Sequence, residues 1–230
     1  MINVIGTLNV FEAARKRRDL VKRIIYASSA AVFGPEEFYG SQTVSEGAPL
    51  LPGTHYGVFK QCNEGNARVC FQNDGISSVG LRPWAVYRVG RDQGITAGPT
   101  KAIKAAVLRR PYTIRFTGTS DLQYVRDTAA VFIGFAMREI VGAKVYTPRG
   151  SVMRIEEFIR TLERVIPDAR DLIRADGKPL PIAADLDDST LRHDLGVIRT
   201  TPLEEGIRET AGMFGRLARA GTLDTTDLET

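Results

Sequence analysis

Two short stretches of this sequence hold residue types that could move a proton. In "HYGVFK", Tyr56 and Lys60 stand four residues apart, a spacing that on a helix puts them on one face with the lysine one turn from the phenol. Phenol ionises at about pH 10 in water, so a tyrosine that carries protons near neutrality needs positive charge beside it, which Lys60 would supply. The second stretch, "YASSAAVFG", sets Ser28 and Ser29 at the end of a short apolar run. If that run is a strand, the serines lie at its carboxyl end, the edge where open α/β sheets bind ligands. A serine hydroxyl there can hold a substrate oxygen while Tyr56 removes or returns its proton, the proton half of a hydride transfer to or from a nicotinamide. The pair by itself is weak evidence, because seven Tyr and seven Lys in 230 positions give a chance Tyr-x-x-x-Lys in roughly one chain in five. Order and surroundings must carry the rest.

The elements around these residues read as alternating strands and helices. "KRIIYAS" is a buried-type strand, a long helix follows over 54–73, and "ISSVGLR" is the next strand, which together make a βαβ unit. The pattern predicts further helices over 100–110, 125–141, 154–166 and 202–219, with short strands in "YTIRF" and "AKVYT". The fold class is therefore α/β with a parallel sheet. The stretches 34–53 and 90–99 are loops within it. The chain opens on "MINVIGTLNVFEAARKRR", an amphipathic helix with Val4, Leu8 and Phe11 in one stripe and Ile5 beside it, ending in four cations that suit the negative end of a helix dipole. Such a stripe is expected to be buried against a sheet whose first strands come earlier in the chain.

Composition excludes several classes. With 43% hydrophobic and 25% charged residues over 230 positions, the chain can bury one domain or one and a half. No apolar run approaches the ~20 residues of a membrane span and the opening lacks the order of a secretory signal, so the sequence reads as cytoplasmic, with no membrane partner. Cys62 and Cys70 fall on one predicted helix ~12 Å apart along its axis, too far for a disulfide and without neighbours for a metal site, so both are expected as packed thiols and no metal is expected. A net charge of +4 and the basic stretch 15–23 raise nucleic acid as a partner. The cluster lies where a helix end welcomes cations and has no interleaved aromatics for stacking, so no nucleic-acid partner is expected.

Taken in order, "NVIGT", "YASSAAVFG", "YGVFK" and "LRPWAVY" resemble the extended short-chain dehydrogenase/reductase family, also called NAD-dependent epimerase/dehydratases, and "LQYVRDTAAVFI" and "LGVIRTTPLEEGI" resemble its later part. The resemblance covers nearly all of the chain. It implies a Rossmann-like doubly wound parallel sheet with a smaller, mostly C-terminal substrate domain, and NAD or NADP as cofactor. It further implies Ser29, Tyr56, Lys60 and Asn3 as catalytic residues, with Tyr56, Lys60, Arg82, Pro83 and Trp84 toward the cofactor. Ser29, Ala30, Trp84 and Arg88 would face a small-molecule substrate, and the helices starting at Asn3 and Thr54 would form a homodimer. The expected division is 1–95 with 122–148 for the dinucleotide domain, 96–121 with 149–220 for the substrate domain, and a disordered tail over 221–230.

Departures from the family pattern narrow the chemistry. Dehydratases of the family carry Asp-Glu directly after the catalytic hydroxyl residue, where this chain has Ala30 and Ala31. Nucleotide-sugar epimerases commonly have an arginine at the position of Ser120 and an asparagine at that of Ala85, groups suited to a diphosphate. A smaller alcohol, ketone or sugar-acid substrate is expected. Arg88 replaces a usual glycine, where it would either meet a substrate carboxylate or sit in a loosened loop; were the position to need a positive φ, arginine would cost ~1 kcal/mol or more. The Gly-x-x-Gly-x-x-Gly turn that receives the pyrophosphate in this family has no counterpart here, and "GRDQGITAG" over 90–98 has the wrong spacing and reads as a substrate loop. About 80 to 90 residues of the usual front are expected to be absent. Two functional classes follow: an NAD(P)-dependent oxidoreductase or epimerase using Tyr-assisted proton transfer, or a non-catalytic remnant of one without a working dinucleotide site.

Overall fold

The computed structural model describes residues 2–40 and 43–228. In chain order its elements are α1 (Thr7–Lys16), β1 (Ile24–Ala27), α2 (His55–Asp74), β2 (Ser78–Leu81), β3 (Ala85–Tyr87), α3 (Gly98–Val107), β4 (Tyr112–Ile114) and β5 (Thr119–Tyr124). There follow α4 (Val125–Ala136), β6 (Ala143–Tyr146), β7 (Ser151–Arg154), α5 (Ile155–Val165), β8 (Ile173–Ala175), α6 (Ser189–Leu195) and α7 (Leu203–Arg219). They fall into two compact units. One comprises Met1–Trp84, Thr128–Arg149 and Pro181–Ile198, the other Ala85–Asp127, Gly150–Leu180 and Arg199–Thr230.

The first unit is built on a parallel sheet in the order β1-β2-β6. Its register aligns Ala27, Leu81 and Tyr146 at the carboxyl edge, so the residues that follow them, Ser28, Arg82 and Thr147, emerge side by side. Parallel strands are normally covered on both faces, and Val79 and Leu81 of β2 are fully buried. One apolar cluster joins them to Val131, Phe135, Tyr146 and Leu191, with the rings of Phe135 and Tyr146 stacked 4.5 Å apart. A second joins Phe11 and Ala14 of α1 to Ile24, Ala67 and Ile76. The segment 181–198 belongs to this unit rather than to the other because it returns to it: Ala183 N–H donates to Gly34 O (2.8 Å), Val44 bridges Leu186, and Leu191 of α6 enters the first cluster.

The opening helix differs from its sequence pattern. Residues Ile2–Gly6 form a π turn before α1 begins. A π turn inserts a residue into the helical repeat, so apolar positions before it rotate out of line with those after it. Phe11 and Ala14 are buried, whereas Leu8 stands 36% and Ile5 50% exposed, and the expected stripe is only partly covered. Helix α4 stops at Ala136, short of the expected 141: the Arg138 N–H reaches back three residues to Phe135 O, the tightening that closes a helix. Cys62 is exposed and only Cys70 is partly packed, which corrects the expectation of two packed thiols; both are free.

In the second unit β3 pairs parallel with β5 and β5 antiparallel with β7, while β4 and β8 form a separate parallel pair. Gly206 of α7 allows that helix to lie on Tyr87, since a Cβ there would come within 2.0 Å of the phenol oxygen. The stretch 221–228, expected as part of a disordered tail, is held against α3: Lys104 Nζ donates to Asp227 Oδ1 (2.6 Å) and to Asp224 O (3.1 Å), and Lys101 Nζ to Asp227 O (2.7 Å). Residues 229 and 230 of that expected tail lie outside the described residues. Among the described residues no helix is long and apolar enough to cross a membrane, and no group of three His, Cys, Asp or Glu could hold a metal ion.

Candidate functional site

At the carboxyl end of β1 successive residues point to opposite sides. Ser28 turns inward and is buried, while Ser29, in extended backbone (φ −162°), is half-exposed and begins a single 3₁₀ turn over Ala30–Val32. Ser29 Oγ accepts from Ala31 N–H (3.1 Å), and Ala30 N–H donates to Pro83 O (3.0 Å), which ties this turn to the segment after β2. Ala30 and Ala31 are buried.

Helix α2 starts against that turn. Thr54 caps it, its Oγ1 accepting from Gly57 N–H (3.0 Å). Gly57 lies so near the serine turn that a Cβ built on it would meet Ala31 O at 2.0 Å and Pro52 Cβ at 2.7 Å. Tyr56, one residue earlier, is 45% exposed. Lys60 Nζ stands 5.5 Å from the centre of the Tyr56 ring and donates to Ala27 O (2.7 Å), the last carbonyl of β1. The expected pair is thus together, and its lysine is fixed to the strand that delivers Ser29. Burial moves the Lys60 ammonium below the ordinary lysine range. Asn3 reaches the same helix through its backbone: its carbonyl oxygen, within the π turn, accepts from Asn63 Nδ2 of α2 (2.7 Å) and from Thr7 Oγ1 (3.0 Å).

The residues expected on the cofactor side are mostly committed to the protein. Arg82 makes a two-pronged ion pair with Glu64, Nε to Oε1 at 2.8 Å and Nη2 to Oε2 at 2.7 Å, with the side chains 3% and 8% exposed. Its Nη1 donates to Glu46 O (3.0 Å), and its guanidinium lies over the Phe33 ring. Trp84 is a packed indole, 7% exposed, whose Nε1 donates to Ala183 O (2.9 Å). Arg88 belongs to the second unit, where its N–H donates to Thr100 Oγ1 (3.3 Å) and its guanidinium lies 5.7 Å from the Tyr124 ring centre. Its φ is not positive; the left-handed position falls on Gly90 (φ 93°), so the strain expected of arginine at a glycine position does not arise. Its buried Nε has no hydrogen-bond partner.

Sequence reading passed over two residues that shape this arrangement. Gly57 carried a signal, since a glycine within a helical pattern costs ~1 kcal/mol against alanine and implies close packing when retained. Glu64 carried one too, as the next member of the Tyr56 and Lys60 spacing.

The donors present fit part of a dinucleotide. Lys60 uses one ammonium hydrogen on Ala27 and has two more for a ribose diol beside the exposed Tyr56 phenol. Among the described residues no strand leads through a Gly-x-x-Gly-x-x-Gly turn into a helix, the usual pyrophosphate cradle. The family model of NAD-dependent epimerases and dehydratases matches residues 1–146. The chain belongs to that family. Uronate dehydrogenase of Pseudomonas syringae pv. tomato is 37% identical over 81 residues, 35% of this chain and 28% of the relative. A putative UDP-glucose 4-epimerase of Methanocaldococcus jannaschii is 31% identical over 131 residues, 56% of this chain and 42% of the relative. The chain therefore matches well under two thirds of the length of these curated relatives. Among solved structures, UDP-glucuronic acid 4-epimerase from Bacillus cereus, in complex with UDP-glucuronic acid and NAD, superposes with a TM-score of 0.79 at 23% identity, covering 94% of this chain and 68% of that one. That likeness shows the fold, a Rossmann-like α/β fold.

Proposed function

We propose that this epimerase/dehydratase-family chain carries the reaction centre of an NAD(P)-dependent oxidoreductase or epimerase that acts on a small hydroxyl or carbonyl compound of sugar type. The observation that carries the reading is the position of Lys60, whose ammonium sits between the Tyr56 ring and the last carbonyl of the strand leading to Ser29. In this reading Ser29 Oγ holds the substrate oxygen, the Tyr56 phenol oxygen takes or returns its proton, and the Lys60 charge favours the phenolate form between those events. Lys60 and the backbone after Pro83 would hold the nicotinamide riboside. When bound, that cofactor supplies or accepts the hydride.

Three features narrow the reaction and its substrate, away from dehydration and from a nucleotide sugar. Ala30 and Ala31, buried beside Ser29, offer no acid and base for eliminating water. Ser120, in place of a phosphate-gripping arginine, is buried in β5. One relative is a uronate dehydrogenase, which supports a uronate-like sugar acid. A homodimer through the opening helix and α2 is part of the same reading. It is supported by the exposed Ile2, Ile5 and Val10 on the one and Val58, Phe59 and Val69 on the other.

The test is Tyr56→Phe, which removes the proton carrier and little volume. With NAD(P) and a panel of uronates, NAD(P)H formation should fall by roughly a thousandfold or more, within the range that acid-base catalysis contributes. Turnover near the unsubstituted rate overturns the assignment. A chain that never transfers hydride, with Tyr56 present, instead favours the non-catalytic remnant.

A further inference from the structure

Tyr56, Lys60 and Glu64 recur at four-residue steps along one face of α2, yet only the first two have a role in the reading above. Glu64 is placed where a charged side chain is seldom left without a purpose, with its carboxylate 8% exposed. Its hydrogen bonds go to the carboxyl edge of the sheet. Oε1 accepts from Ser28 Oγ–H (2.5 Å) and from Arg82 Nε, and Oε2 from Arg82 Nη2. Ser28 follows β1 and Arg82 follows β2, so a single carboxylate joins two neighbouring strand ends to the helix that presents the tyrosine.

The Ser28 contact has a further consequence. Lys60 holds Ala27 O and Glu64 holds Ser28 Oγ, so α2 grips two consecutive residues of the chain immediately before Ser29. The strand end cannot slide along or twist away from the helix without breaking one of these bonds, both charge-assisted and therefore of the stronger kind. On the other side, Arg82 is fixed by Glu46 O and the Phe33 ring, and Pro83 O receives Ala30 N–H. The serine turn is thus held from the helix side through Ser28 and from the β2 side through Pro83.

We infer that Glu64 is a positioning residue: acting through Ser28, it sets the register of the Ser29 turn against the Tyr56 and Lys60 face, in addition to pairing with Arg82. The inference rests on the proposed reaction centre for its meaning, but its first readout does not depend on turnover. Ser28→Ala removes the link to the serine turn and leaves the Glu64 and Arg82 pair intact, so the variant keeps its fold. Hydrogen exchange on the full chain should then show the amides of Ala30 to Phe33 exchanging about tenfold faster, with the amides of α2 unchanged. Glu64→Gln should show the same local effect together with a lower melting temperature, because it also leaves the Arg82 charge without its buried partner. If Glu64 serves stability alone, Ser28→Ala exchanges like the unsubstituted chain, and the inference is overturned.

Where hydride transfer is measurable, Ser28→Ala should lower kcat about tenfold with KM within about twofold, since misplacement of the reacting groups is a loss felt in the transition state. An unchanged kcat also overturns the inference. Failure of the underlying reading shows up separately, as turnover that survives Tyr56→Phe, a variant expected to leave the exchange pattern untouched.

Discussion

Replacing Gly57 with alanine sets two forces of known sign against each other. In an ordinary helix interior the change stabilises, by about 1 kcal/mol on propensity. Here the new methyl would lie 2.0 Å from the carbonyl oxygen of Ala31, and real Cβ atoms essentially never come within 3.0 Å of such an atom, so helix and serine turn must separate by at least about 1 Å. The obstacle is backbone, which cannot swing aside as a side chain would, and the Ala31 turn is fixed at its other end by the Ala30 bond to Pro83. Because the obstacle is fixed backbone, the cost falls in the upper part of the overpacking range, ~2–3 kcal/mol, which leaves a net loss of ~1–2 kcal/mol after the propensity gain. For a chain of this size that is a fall in Tm of about 2–8 °C, read by circular dichroism. Turnover should fall further than stability, on the order of a hundredfold, because the displaced distance is the one between the groups proposed to hold and to deprotonate the substrate. A Tm at or above that of the unsubstituted chain would refute the close approach, and with it the view that Gly57 sets the distance between α2 and the serine turn.

Two further predictions address groups at the edges of the site. Burial holds the Glu46 carboxyl above the ordinary carboxylate range against the opposing pull of the Thr147 N–H, so folded Glu46 keeps its proton to higher pH than the unfolded chain does. Its contribution to stability is therefore full in acid and lost as pH rises through the folded value. Glu46→Gln has no such dependence, so the unsubstituted chain should lose stability relative to the variant as pH rises from acid to neutral; a difference in Tm that does not vary with pH would contradict this. Val58→Glu combined with Val69→Glu, on the exposed apolar face of α2, should convert a dimer to a monomer in light scattering after size exclusion. A monomeric unsubstituted chain would count against the dimer.

The parts of this molecule that were legible beforehand are those whose cause is local. Helix α2 and its flanking strands follow from periodicity, a threonine cap and a left-handed glycine, Gly75 (φ 70°), at its end. The Tyr56 and Lys60 pair needs only helical spacing. Strand β5 shows the opposite case: "TSDLQY" reads as polar, yet Ser120 through Tyr124 are all buried, with Asp121 Oδ1 accepting from Gly150 N–H of the neighbouring segment. A buried strand that carries serine, aspartate and glutamine, the aspartate satisfied by a residue far along the chain, leaves no hydrophobic alternation to read. The opening helix fails for a related reason, because a π turn over Ile2–Gly6 shifts every later position by a residue and no residue type announces it.

The same distinction runs through the site. A tyrosine and a lysine four apart suggest chemistry by their types alone, whereas a glutamate on a helix is by default a solvated charge and a glycine by default a weak point. What changes their meaning is where β1 and β2 end. Because the parallel register brings Ser28 and Arg82 out side by side, a carboxylate two turns below Tyr56 finds both; because the chain turns at once after Ser29, the first turn of the helix needs a residue without a side chain at Gly57. Glu64 and Gly57 act at opposite ends of one contact, the carboxylate drawing strand ends to the helix and the bare glycine letting the turn come near. A change at either one should move Ser29 relative to Tyr56 without substituting any residue of the expected catalytic set.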